Sequence, residues 1–159
     1  MTEGKGVRLT YRPGWQGSLL LAGGQFIPFP SPELAVVDYW GPEGDPEVPG
    51  VLRHELSHWR QRKVGLSDRL KEAFEGAGLG EAERGAAVLL YGELIANYEQ
   101  MDAGGSLRRA QCQFMSYAEP VVEEGSLSKR DIALLDASAR RLLGWTGKSI
   151  IPRSWRGEG

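Results

Sequence analysis

Between residues 7 and 40, short apolar runs alternate with turn residues, the pattern of β-strands. Residues 7–11 end at Pro13-Gly14, residues 18–22 end at Gly23-Gly24, and residues 25–29 run into Pro28, Pro30 and Pro32. A Gly-Gly between two apolar runs predicts a hairpin. Residues 34–40, Leu-Ala-Val-Val-Asp-Tyr-Trp, form the best strand of the chain. After a Pro/Gly/acid loop at residues 41–50 the period lengthens to that of helices. The first helix opens at Asp45 or Pro49, runs to about Val64 and stops at Gly65. Leu52, Leu56 and Trp59 make its packing stripe, and His54 and His58 flank that stripe. Further helices are expected over residues 68–77, capped by Ser67, and over residues 81–101. Another spans residues 106–119 and stops at Pro120. The last spans residues 128–143, opened by the capping box Ser128/Asp131 and closed by Gly144. The pattern predicts one α+β domain over residues 1–159. A small antiparallel or mixed N-terminal sheet comes first, then a helix carrying both histidines, then a helical C-terminal half. Residues 1–6 and 146–159 are expected to be flexible tails.

Composition narrows the chemistry. A chain of 159 residues supports a real core, and a formal net charge of −2 gives no reason to expect nucleic acid or an anionic membrane as partner. The single Cys112 excludes an internal disulfide and a multi-Cys zinc site, and it reads as structural. The N-terminus lacks the apolar core of a signal peptide, and no apolar run is long enough to span a bilayer. The expected location is the cytoplasm, with association with a virion as the alternative.

The only two histidines stand in His54-Glu55-Leu56-Ser57-His58. Positions four apart share a helix face, with Cβ atoms about 5–6 Å from each other. Two imidazoles so placed can hold one Zn²⁺, and Glu55 lies beside them to handle a proton. A catalytic zinc site takes three protein ligands and keeps one open position. With no further histidine, the third ligand must be an acid. Glu93 is the only charged residue between positions 86 and 98, and a carboxylate in such surroundings is costly unless paired or metal-bound. A salt bridge to one of the arginines is its alternative use. Glu99 and Asp102, nearer the polar end of the same helix, are competing ligands. The run from Gly144 to Ser149 lacks the upstream glycine of a phosphate loop, because position 142 is Leu, so it reads as a helix end and a turn.

Taken together, His54-Glu55-Leu56-Ser57-His58 and Glu93-Leu94-Ile95-Ala96-Asn97 resemble the gluzincin arrangement His-Glu-x-x-His … Glu-x-x-Ala-Asn. Small ImmA/IrrE-type metallopeptidases carry this pattern. The resemblance covers residues 34–100, with a spacer on the long side for the family. The run His58-Trp59-Arg60-Gln61 is also similar to small phage-encoded zincin-like proteins. The likeness implies strands before a zinc-binding helix, and a second helix that supplies Glu93. It implies a zinc-dependent metallopeptidase with one Zn²⁺ on His54, His58 and Glu93, acting on a peptide or protein through a water activated by Glu55. Asn97 would support the ligands from behind. Tyr91, Tyr98 and Tyr117 are candidate oxyanion donors, among which the sequence does not choose. Strand 34–40 would be an edge that receives an extended substrate. The rival reading is a catalytically idle zincin-like binding or structural module, such as a phage or mobile-element component.

Overall fold

The computed structural model describes residues 7–13, 24–29 and 34–157. The expected strand at residues 18–22 and the tail at residues 1–6 lie outside them. The fold is α+β: among the described residues a small N-terminal sheet is followed by five α-helices. Strands β1 (Val7–Pro13), β2 (Gly24–Phe29) and β3 (Leu34–Gly41) form a mixed sheet in the order β1-β3-β2. β1 runs parallel to β3 and β2 antiparallel to it. β3 is therefore central, with backbone partners on both sides. This corrects the expectation that residues 34–40 offer an open edge: the most apolar strand is the one both neighbours bury. β2 continues through Pro28, paired with Ala35, on the outer side of the described sheet, where a proline is tolerated.

Helix α1 (Glu47–Lys63) lies between two partners. Leu52, Leu56 and Trp59 pack with Leu9, Phe26 and Tyr39 around the fully buried Val37, so the predicted stripe meets the sheet. His54 and Ser57, both buried, lie off that stripe, and His54 meets α3 (Glu81–Asp102) through Glu93 and Gln100. The first turn of α1 is tied by Asp45, whose Oδ1 accepts a hydrogen bond of 2.9 Å from Glu47 N. β2 crosses α1 closely at Gly24: a Cβ there would lie 2.8 Å from Glu55 Cγ and 3.1 Å from Val51 Cγ1.

α3 is the central helix. Apart from the half-buried Glu99, every residue from Leu90 to Gln100 is buried, as befits a helix surrounded by others. α1, α2 (Leu66–Gly76), α4 (Leu107–Glu123) and α5 (Lys129–Leu143) all pack on it. Three expectations need correction. α2 starts one residue before Ser67, because Gly65 in the left-handed region reverses the chain and acts as the cap itself. α4 does not stop at Pro120. Its apolar row Ala110, Phe114, Ala118 and Val121 is buried, and the carbonyl left free by the missing Pro N–H belongs to the exposed Ser116. Nor are residues 146–157 a loose tail: Ile150 and Ile151 are buried in the main core, and Trp145 and Trp155 pack against it. Cys112 is exposed on α4. Among the described residues no helix is long and apolar enough to cross a membrane.

Candidate metal centre

α1 and α3 bring three donors together. His54 Nε2 and His58 Nε2 are 3.3 Å apart, His58 Nε2 is 3.0 Å from Glu93 Oε1, and His54 Nε2 is 3.3 Å from Glu93 Oε2. These three residues could hold a metal ion, and no further His, Cys, Asp or Glu joins them among the described residues. The donor set fits such an ion. Zinc bonds of about 2.0–2.1 Å in a tetrahedron space their ligands about 3.3 Å apart, close to the edges of this triangle. Glu93 is only 6% exposed, and among the described residues its Oε2 has no hydrogen-bond donor in good geometry. Burial pushes the Glu93 carboxyl up, but the two histidines beside it outweigh burial and hold it at about 2. Burial pushes His58 down, and Glu93, Glu55 and Gln61 more than offset this, so it is raised.

Glu99 and Asp102 do not reach the cluster. Glu99 is bonded to Arg60 and lies 3.3 Å from Arg53 Nε, and Asp102 lies 3.6 Å from the same Arg53 side chain. The arginine pairing considered for Glu93 thus falls to its neighbour six residues on, at the polar end of α3.

Glu55 sits beside the triad. The backbone N–H of Phe26 on β2 donates to its carboxylate. Burial raises its pKa, the nearby histidines oppose this, and Glu93 adds to it. Asn97 is fully buried, but its Nδ2 donates to the backbone carbonyl of Glu93 at 2.8 Å, so it props the helix rather than the carboxylate.

The three tyrosines separate. Tyr91 Oη bonds Ser138 Oγ at 3.2 Å, joining α3 to α5. Tyr98 Oη donates to Asp136 and accepts from Ile150 N at 3.1 Å, a structural network away from the triad. Tyr117, on α4, is 43% exposed. Its phenol is raised by the Glu93 charge, by burial and by the Glu55 charge, so it is the one that senses the site.

Two glutamines were not anticipated. His54 Nδ1 lies 2.8 Å from Gln100 Oε1, and His58 is hydrogen-bonded to the Gln61 side chain. The Gln61 amide nitrogen is occupied by Ser57 Oγ at 3.1 Å and the Gly92 carbonyl at 3.0 Å, leaving its oxygen for His58. Helical spacing carried the signal: Gln61 is three residues after His58, and Gln100 is seven after Glu93, on the same face. A cavity of about 490 Å³ opens beside His58, between Phe26, Leu66, Leu70 and Val88. Set against family models, curated proteins and solved structures, the chain matches none of them.

Proposed function

We propose that this chain is a zinc-dependent metallopeptidase. The observation that carries the reading is the triangle of His54, His58 and Glu93 donors at 3.0–3.3 Å, with the Glu55 carboxylate beside it. His54, His58 and Glu93 would hold the ion, and Zn²⁺ held there supplies Lewis acidity, polarising a carbonyl and acidifying water. Glu55 takes the proton from the attacking water and returns it to the leaving amine. Its raised pKa suits both halves of that task, since burial makes the protonated state accessible. The Phe26 N–H holds the carboxylate in place while it works. The Tyr117 phenol, raised by the Glu93 charge, by burial and by the Glu55 charge, stays protonated and would be the donor for the tetrahedral oxyanion.

Elemental analysis of the parent protein beside Glu93→Ala and Glu99→Ala tests the metal. The expected result is about one zinc per chain, kept in Glu99→Ala and lost or weakened in Glu93→Ala. Glu55→Gln then tests the chemistry: it should bind zinc like the parent and cleave no peptide. An idle zincin-like module needs ligands only and has no use for Glu55, so a parent that binds zinc yet cleaves nothing in a broad peptide library would favour that rival.

A further inference from the structure

Gln100 is completely buried on α3, and its Oε1 stands 2.8 Å from His54 Nδ1. Among the described residues its buried amide nitrogen has no hydrogen-bond partner. Burying a side-chain amide with half of its capacity unused is unfavourable, so the contact with His54 is what the amide is placed for. The seat around it supports this. A Cβ on Gly50, in the first turn of α1, would lie 2.8 Å from Gln100 O and 3.1 Å from Gln100 Cγ. A Cβ on Gly105, between α3 and α4, would lie 2.9 Å from both Gln100 Cγ and Gln100 O. Neither glycine has a positive φ, so backbone conformation does not explain them. What they provide is room. Gly105 N also donates to Gln100 O at 2.9 Å, closing the seat.

We infer that Gln100 is the positioning residue that fixes His54 in its metal-binding tautomer, and that Gly50 and Gly105 form the seat that holds it. A neutral imidazole carries one proton, and an amide oxygen can only accept. Gln100 therefore keeps the proton of His54 on Nδ1, and the Nε2 lone pair is left facing His58 and Glu93. The amide does this without adding negative charge to a site that already holds Glu55 and Glu93. The inference rests on the metal-centre reading.

The test is Zn²⁺ affinity, measured by competition with a chromophoric chelator, for the parent, Gln100→Met, Gln100→Glu and Gly105→Ala. Circular dichroism follows the fold, and the absorption spectrum of the Co²⁺-loaded protein reports the coordination geometry. Gln100→Met keeps the volume but removes the acceptor, and should weaken Zn²⁺ binding about 10–100-fold and alter the Co²⁺ spectrum. Gln100→Glu restores an acceptor and should stay within about threefold of the parent. Gly105→Ala, which touches no ligand, should fall between them. A second measurement needs no variant: long-range ¹H–¹⁵N correlation on the Zn²⁺-loaded parent, which has only two histidines, should show His54 protonated at Nδ1. Parent-like affinity in folded Gln100→Met, or His54 coordinated through Nδ1, overturns the inference while leaving the metal centre standing. A parent that takes no Zn²⁺ overturns both.

Discussion

Glu93 is the residue at which a sequence pattern becomes an energetic statement. A single acid in a buried stretch of α3 needs compensation, and His54 and His58 supply it even without a metal. The pH dependence follows from the two shifts. The depressed Glu93 pKa stabilises the metal-free fold above the ordinary carboxyl value of 4.5, and the effect is lost as pH falls towards about 2. The raised His58 pKa stabilises it below the ordinary value of 6.5, and the effect is lost as pH rises through the higher folded value. Both contributions are present together between about 4.5 and 6.5. In chelator, the difference in melting temperature between the parent and Glu93→Gln should therefore be largest in that window and shrink above it. A flat difference would deny the pairing. Zinc reverses the upper limb, because coordination needs neutral imidazole, so the gain in melting temperature from added Zn²⁺ should grow from the acidic window to pH values above it. Tyr117→Phe should lower kcat by about 10²–10³-fold with little change in KM, because an oxyanion donor acts on the transition state. Equal losses with Tyr98→Phe would point to folding instead. His54, Glu55, His58 and Glu93 were legible from spacing and from charge in an apolar context. Which of Tyr91, Tyr98 and Tyr117 feels the charges of Glu93 and Glu55 was not, since it depends on how α4 and α5 lie against α3.

At the scale of elements, α1 and α3 divide the labour. α1 turns Leu52, Leu56 and Trp59 to the sheet and both histidines towards α3, and α3 answers with Glu93, Asn97 and Gln100 on successive turns of one face. Local chemistry fixed the helix ends at Gly65 and Gly144 and the capping box at Ser128/Asp131, where the Ser128 hydroxyl accepts from Asp131 N at 3.0 Å. Such signals are carried by a few neighbouring residues, and so they could be read. The passage of α4 through Pro120 and the central place of β3 depend on partners far along the chain, and so they could not. Gly92 allows an element-scale test. An alanine Cβ there would stand 2.8 Å from Gln61 Oε1, the far end of a side chain that can swing away from His58. The same change gains about 0.8–1 kcal/mol of helix propensity. Gly92→Ala should therefore keep or raise the melting temperature of the metal-free protein while weakening zinc binding. A parallel fall of both would mean that the clash is paid by the α1–α3 contact as a whole and not by Gln61.

Over the whole molecule, the C-terminal segment locks the helices that carry the site. Its glycines and arginines look like those of a frayed tail, and the two isoleucines at positions 150 and 151 are too short a signal to outweigh them in sequence. In the fold they are buried in the main core, and the chain around them is bound by polar groups. The fully buried Asp136 of α5 accepts from Tyr98 of α3, from Arg140 Nε at 2.9 Å and from Ser149 Oγ at 2.6 Å. Tyr98 Oη accepts in turn from Ile150 N, and Gln111 of α4 donates to the Ile150 carbonyl at 3.1 Å. Residues 149–151 thus join α3, α4 and α5 at one point. Ile150→Ala should cost about 2–5 kcal/mol, as for other fully buried aliphatic side chains. Ending the chain at residue 144 should cost more, because it also removes the Ser149 hydroxyl that bonds Asp136 and the Ile150 N–H that bonds Tyr98 in the interior. Neither change touches His54, His58 or Glu93, so the folded fraction of Ile150→Ala should bind zinc with parental affinity. Added zinc should raise its melting point, since an ion that binds only the folded state stabilises it by mass action. Chemical denaturation with and without Zn²⁺ separates the two effects. An intact metal site in a weakened fold identifies the segment as a structural lock on α3, whereas a loss of zinc affinity in folded protein would show that Tyr98 transmits the position of the tail to Glu93 and Gln100.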